Sequence, residues 1–422
     1  MTGLSLAFIV AALALGVFSS LSFLWQWLVG GASRISSMLA LVAAGTAAVR
    51  LYVYLRRCAP QAPARLGAGW MLLGTACGAA GYWYARLAAG APHGGWDAWA
   101  IWNLHARFLY RGGPAWKDLF DPALGWSMNA YPLLIPGLVD GVWKILGSEA
   151  QAVPAVIAGL FAMLAIGITS SGVSAITEDR RAWLAGLVLL GTPSFLLLSS
   201  AQMADAPLSV YMLATVVLLR FAEVWPQART PMLALAGFAA GCAAWTKMEG
   251  LVFVAVVFGG LLILAAAQGT WRDYWKDGLR IASGAAPMLI LVLSFRAFLA
   301  PPGDMLLDSA AIERMTTLAR YPVAASAFAK EFAGFGAALG GVHPGILASL
   351  LLLWAIGRAK GCFSALRLLV FPILMLGAYF TIYIVTPYDL AWHLEYSLDR
   401  LVLHVWPAAV FVAATVHCRR GQ

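Results

Sequence analysis

Four stretches of the chain carry side chains that could move a proton or hold an anion beside hydrocarbon. Asp97 sits in Trp96-Asp97-Ala98-Trp99-Ala100-Ile101-Trp102-Asn103-Leu104-His105, and Asp205 in Met203-Ala204-Asp205-Ala206-Pro207-Leu208. Lys247 and Glu249 share Thr246-Lys247-Met248-Glu249-Gly250. The fourth stretch runs from His393 through Glu395 and Asp399 to Arg400, with His404 one helical turn beyond. If Asp97 and Asp205 converge, they can serve as general base toward an alcohol and as support for an acceptor or a divalent cation. Lys247 supplies a point charge for a lipid phosphate, Arg400 a planar fork suited to the same group, and His393 a further donor.

Each group also has a plain structural reading. Asp97 and Asp205 both read as N-caps, the second ahead of Pro207 early in its helix. Lys247 and Glu249 read as a local ion pair of little worth. Arg400 reads as the start of a helix, where a cation opposes the dipole and needs Asp399, Glu395 or a bound phosphate to offset it. Capping and catalysis are compatible for the carboxylates. Charged groups this close to acyl chains are costly, which favours a functional role or an anionic partner.

The elements that must position these groups are membrane helices. Of 422 residues 62% are hydrophobic and 11% charged, against about 25% charged in a soluble domain. Runs of about 20 apolar residues predict spans near 5–29, 36–56, 68–90, 150–175, 182–200, 206–222, 231–246, 250–267, 280–300, 342–357, 367–386 and 400–416. The expected fold is all-α and polytopic, one integral membrane domain over 1–422 with about twelve transmembrane helices. It divides into additional N-terminal helices at 1–67, a core at 68–300 with a large loop at 91–149, a second loop at 301–341, and C-terminal helices at 342–422. In the first loop Trp99, Trp102, Ala106 and Leu109 recur at helical spacing, while Asn103, Arg107 and Arg111 fall on another side. That pattern predicts an interfacial helix with rings at the acyl boundary and cations toward water or phosphate. Residues 133–146, interrupted by Pro136 and Asp140, form a second short interfacial helix.

Charge orients the drawing. Arg56 and Arg57, Arg180 and Arg181, Arg229, Arg272, Lys276, Arg280, Arg358, Lys360 and Arg367 all fall on one side, which the positive-inside rule makes cytoplasmic. Arg34 runs against the pattern. Both large loops and all four polar stretches then lie outside. The excess of 28 Lys and Arg over 19 Asp and Glu fits such loops and lipid phosphate, and no basic run is dense enough for nucleic acid. The five cysteines form neither a disulfide framework nor a CxxC motif. The outer histidines show no paired ligand spacing, whereas Mg²⁺ or Mn²⁺ on carboxylates needs no such motif and stays open. The apolar start has no basic n-region and reads as a retained helix.

At these residues the chain resembles the GT-C class of membrane glycosyltransferases, in particular the bacterial relatives of protein O-mannosyltransferases and of the lipid A aminoarabinose transferase (family 39-like). The resemblance lies in Trp96-Asp97 in the first large outer loop, Tyr131-Pro132-Leu133-Leu134 after it, and Met203-Ala204-Asp205-Ala206-Pro207-Leu208 after a helix. Thr246-Lys247 with Glu249-Gly250 is similar to the family's Thr-Lys-Gly segment. It implies transfer of a sugar from a polyprenyl phosphate at the periplasmic face, with Asp97 as base and Asp205 assisting. Lys247 and Arg400, with His393, would hold the donor phosphate, and Trp96, Asn103, His105 and Glu249 would support the acceptor and the loop. The chain departs from the family where Ala98 follows Asp97 in place of a second acidic residue, and where the loop follows the third helix instead of the first.

The expected protein is therefore a multi-pass glycosyltransferase of the bacterial inner membrane, with a lipid, glycan or protein acceptor and membrane lipids as neighbours. The rivals are a transporter or flippase of a lipid-linked sugar, and a glycan ligase or polymerase. A transporter should show internal repeats with broken helices at mid-membrane, whereas these charges gather at one face.

Overall fold

The structure, a computed structural model, describes residues 1–60, 67–177, 181–302, 309–335, 345–355 and 363–416. Its helices run in order α1 Thr2–Val29, α2 Arg34–Cys58, α3 Ala68–Gly90, α4 Asn103–Arg111, α5 Leu134–Leu146, α6 Ala152–Ile176, α7 Arg181–Leu190, α8 Pro193–Ser200 and α9 Asp205–Val224. They continue as α10 Arg229–Thr246, α11 Met248–Gln268, α12 Trp271–Phe298, α13 Ala311–Thr316, α14 Arg320–Gly334, α15 Gly345–Ala355, α16 Val370–Val385 and α17 Leu390–Thr415. A π turn, Ala98–Trp102, leads into α4. Among the described residues there is no strand.

By length and apolarity eight described helices can cross a membrane, and the pair α7 and α8, bent by 64° across Gly191-Thr192, makes a ninth if it is one span. The chain is thus an all-α polytopic membrane protein. Helices α3 and α10 form where expected but fall outside that set of eight. The expected helix 342–357 is seen over Gly345–Ala355. Its other positions lie outside the described residues, as do Arg180, Arg358 and Lys360.

Helix α9 is the centre of the bundle. It is apolar nearly all round and is enclosed by α6, α10 and α17, the arrangement such a helix requires. Helix α10 packs closely on α12 because Gly237, Gly241 and Gly284 carry no side chain at the crossing; a Cβ on Gly237 would overlap the Ile281 carbonyl. Helix α1, set apart by sequence as additional, is built into the bundle against α5 and α6 and touches α9 and α10. Lys144 fastens this side. Its ammonium donates to Asp140 Oδ2 at 2.8 Å, Gln26 Oε1 at 3.0 Å and the Leu109 carbonyl at 3.2 Å, joining α5, α1 and α4.

Three local expectations change. The apolar side of the 98–111 segment does not meet acyl chains: Trp102, Ala106 and Leu109 are buried in protein, and only Trp96 and Trp99 stay exposed. Its cations Arg107 and Arg111 both bind Glu149, at 2.7 and 2.6 Å, and Arg111 stays largely exposed, as the pattern predicts. Helix α5 is continuous instead of interrupted and is largely buried against other helices, because Pro136 falls in its first turn, where the missing N–H has no helical partner to lose. Helix α17 begins at Leu390, capped by Asp389, ten residues before Arg400. Arg400 is therefore mid-helix, and the expected conflict with the helix dipole does not arise.

Candidate active site

The four polar stretches converge on Asp205. Its carboxylate has no exposed surface. Oδ1 accepts from Lys247 Nζ at 2.9 Å and from His404 Nε2 at 2.8 Å, and Oδ2 accepts from Arg400 Nε at 3.1 Å. Arg400 Nη2 lies 2.7 Å from Asp97 Oδ2, and Lys247 reaches Glu249 Oε1 at 2.9 Å. Behind His404 the Tyr379 hydroxyl stands 2.7 Å from Nδ1. A carboxylate only accepts, so His404 Nε2 carries a hydrogen; in the neutral ring Nδ1 then accepts from Tyr379. Three carboxylates thus meet two permanent cations, and uptake of one proton would make the network neutral.

Local backbone features place these groups. Gly94 has a positive φ of 74°, and a Cβ there would overlap the Ala201 carbonyl, to which Gly95 N–H donates at 2.9 Å. The start of the first loop is thereby pressed onto the end of α8, which sets Asp97 beside the first residue of α9. Gln202, at φ 60°, holds the same junction. It donates to the Pro92 carbonyl at 3.2 Å and accepts from Asn103 Nδ2 at 3.3 Å. A non-glycine residue in this conformation carries strain that the surrounding contacts must hold. Lys247 stands at the sharp break between α10 and α11. The break closes because Gly250 has no Cβ, which would overlap the Ala243 carbonyl.

Neither carboxylate acts as a helix cap. Asp97 precedes the π turn but makes no capping bond, and Asp205 is the first residue of α9, with its oxygens turned to the cations. Lys247 is 4% exposed, and its ammonium is shared by two carboxylates. Burial works against that charge, but Asp205 and Glu249 beside it hold Lys247 above the usual lysine range. The side chains of Asp97, Glu249 and Arg400 are 23%, 17% and 15% exposed. Asp97 Oδ1 has no hydrogen bond among the described residues. Trp96 and Trp99, edge to face at 5.9 Å, stand exposed next to it. Tyr131 stacks on Trp102 at 5.6 Å and lies within the field of Glu249, Lys247, Arg400 and Asp97.

Other expected site residues lie apart from this network. His105 is buried and donates from Nε2 to the Ser127 carbonyl at 3.0 Å, pinning the 122–127 turn to α4. Burial pushes its pKa down to about 4, against the opposing effect of that carbonyl. His393 binds Thr386 Oγ1 at 2.9 Å and packs on Tyr383. Asn103 supports the loop and does not touch the carboxylates. Among the residues that complete the site, Tyr379 and Gln202 carry no sequence signal. Only His404 had a visible signal, its four-residue spacing from Arg400. Among the described residues no group of three or more His, Cys, Asp or Glu is placed to hold a metal ion. The position between Asp97 and Asp205 is taken by the Arg400 guanidinium.

Residues 152–317 match the profile of a family described as dolichyl-phosphate-mannose-protein mannosyltransferase. The resemblance to GT-C membrane glycosyltransferases seen in the motifs is met by this match, which contains Asp205, Lys247 and Glu249 and lies between Asp97 and Arg400. No curated protein matches the chain. Among solved structures, the chain is similar to ArnT from Cupriavidus metallidurans bound to undecaprenyl phosphate, with 15% identity and a TM-score of 0.44. That alignment covers 68% of this chain and 50% of the ArnT chain.

Proposed function

We propose that the protein transfers a sugar from a polyprenyl-phosphate donor to an acceptor hydroxyl at the periplasmic face of a bacterial inner membrane. The observation that carries this reading is the asymmetric network. Asp205, Lys247 and His404 are closed off and mutually paired, while Asp97, Arg400 and Glu249 around them keep exposed surface. Matching of the central segment to a family that uses dolichyl-phosphate mannose supports a donor of the same chemical class.

In this mechanism the acceptor hydroxyl gives its proton to Asp97 Oδ1 as its oxygen attacks the anomeric carbon. The bond from that carbon to the phosphate oxygen breaks, and the phosphate leaves with the electron pair. One displacement inverts the anomeric centre. Arg400, steered by Asp97 on one side and Asp205 on the other, stabilises the charge growing on the leaving phosphate. Asp205 holds Arg400 in place, and Lys247 and His404 hold Asp205. Lys247 therefore acts through its two carboxylates and not by direct reach to the donor. Trp96 and Trp99 offer ring faces to the lipid or the sugar.

The test compares a native strain, a deletion strain, and a deletion strain carrying Asp97→Asn, by mass spectrometry of lipids and glycans. The expected result is accumulation of one polyprenyl-phosphate sugar and loss of one glycan modification in both altered strains. A native profile in the Asp97→Asn strain, with the protein at normal level, would refute the base assignment and favour a carrier of the same lipid.

A further inference from the structure

A second polar cavity lies at the opposite end of the bundle. Helix α9 starts at Asp205 and ends near Glu223, and α11 starts beside Lys247 and ends at Gln268. Twenty helical residues span roughly 30 Å, so the far ends sit about a bilayer thickness from the Asp205 network. There Glu223, Arg229, Asp273, Tyr274, Asp277 and Arg367 line an open cavity of about 230 Å³. Its other wall is apolar, formed by Leu261, Leu264 and Ala265 of α11. Trp271 and Trp275 stand exposed beside it at the start of α12, as rings do at headgroup depth.

The charges here alternate. Arg367 pairs with Glu223 at 3.0 Å, and Arg229 and Arg280 both pair with Asp277. Arg367 also donates from Nη1 to Gln268 Oε1 at 3.2 Å, and its side chain keeps 32% of its surface exposed at the cavity. Asp273, in the first turn of α12, is exposed and enters none of these ion pairs. A purely anionic ligand would gain the arginines but face three carboxylates. A simple cation would face the reverse. A ligand with a phosphate and an ammonium satisfies both sets. A quaternary ammonium would want an aromatic cage; Trp271 and Trp275 flank Tyr274 at 6.5 and 5.1 Å, but only Tyr274 is in the cavity lining.

We propose that this cavity binds a zwitterionic phospholipid with a primary ammonium headgroup, in the leaflet opposite to the Asp97 site. Its phosphate meets Arg367 and Arg229, its ammonium meets Asp273, and its acyl chains follow the Leu261 wall. The site is independent of sugar transfer, so either reading can fail without the other.

The test is native mass spectrometry of the full chain released from detergent. Phosphatidylethanolamine, phosphatidylcholine and phosphatidylglycerol with identical acyl chains are titrated separately. Phosphatidylethanolamine is expected to bind roughly tenfold tighter than the other two, the scale of one charge-assisted hydrogen bond. Asp273→Asn should bring it down to the phosphatidylcholine level, and Arg367→Gln should weaken phosphatidylethanolamine and phosphatidylcholine alike. Asp273 is exposed, so its variant remains informative should Arg367→Gln fail to fold. Equal affinity for the three lipids, preference for phosphatidylglycerol, or an unchanged preference in Asp273→Asn overturns the proposal. Glycerophosphoethanolamine, which lacks acyl chains, should compete poorly; competition at lipid-like concentration would make the occupant a soluble amine phosphate and overturn the lipid assignment.

Discussion

Lys247→Met is the substitution that separates a structural from a donor-binding lysine. Met keeps most of the stem volume and removes the charge. Asp205 retains Arg400 and His404, but Glu249 loses its only ion-pair partner among the described residues, while its Oε2 already has no hydrogen bond. Breaking a buried pair from one side costs about 3–5 kcal/mol, because the remaining charge is left uncompensated. At roughly 2 °C per kcal/mol for a chain of this size, the thermal midpoint in detergent should fall by about 6–10 °C. Replacing both partners by neutral side chains removes that penalty, so Lys247→Met with Glu249→Gln should recover at least half of the loss. The assay is thermal unfolding followed by size exclusion, run beside a titration of donor lipid. An unchanged midpoint together with sharply weakened donor binding would refute the reasoning and make Lys247 a direct phosphate ligand.

Further outcomes follow from the same geometry. Gly250→Ala should destabilise by several kcal/mol or reorganise the α10–α11 break, because its Cβ meets the Ala243 backbone and not a movable side chain; a native midpoint in thermal unfolding would show that the break can open freely. Tyr379→Phe should cost about 1–2 kcal/mol by leaving His404 Nδ1 buried without a donor. It should lower kcat with little change in KM if the His404–Asp205 contact positions Arg400. His105 imposes a pH dependence on stability. Between pH 6.5 and about 4 the unfolded chain binds a proton there and the folded protein does not, so stability falls as pH falls. The full interval is worth on the order of 3 kcal/mol, with no contribution above pH 6.5. His105→Gln should flatten the midpoint over that range, and an identical slope in the variant would remove His105 as its source.

The residues of the candidate site were legible in advance because charged groups are rare in this chain and stand out at the ends of apolar runs. Asp97, Asp205, Lys247, Glu249 and Arg400 were all singled out, and the structure joins them in one network. Their partners were not legible. Asp97 and Asp205 have the sequence context of caps, yet both turn to Arg400, since a guanidinium beside a buried carboxylate outweighs a backbone N–H that a helix end can leave to water. His393 and His105 looked as eligible as His404, and only packing separates them.

Composition and apolar run length by themselves determined an all-α membrane protein, because a backbone in hydrocarbon must satisfy its own hydrogen bonds and helices do so locally. Most helix positions followed to within a few residues for the same reason, but α12 and α17 begin nine and ten residues before the expected starts at 280 and 400, and the expected span 182–200 is bent into α7 and α8. What only the tertiary structure decided was everything that depends on a second segment. Trp102, Ala106 and Leu109 face protein instead of lipid, and Arg107 and Arg111 share Glu149. Arg400 lies ten residues into α17, between two carboxylates that are each more than 190 positions from it in the chain. Helical periodicity defines the side a residue is on, but a side has the same pattern whether lipid or another helix covers it. Charge pairing in a low-dielectric interior is set by distances between helices, which no spacing along one helix contains.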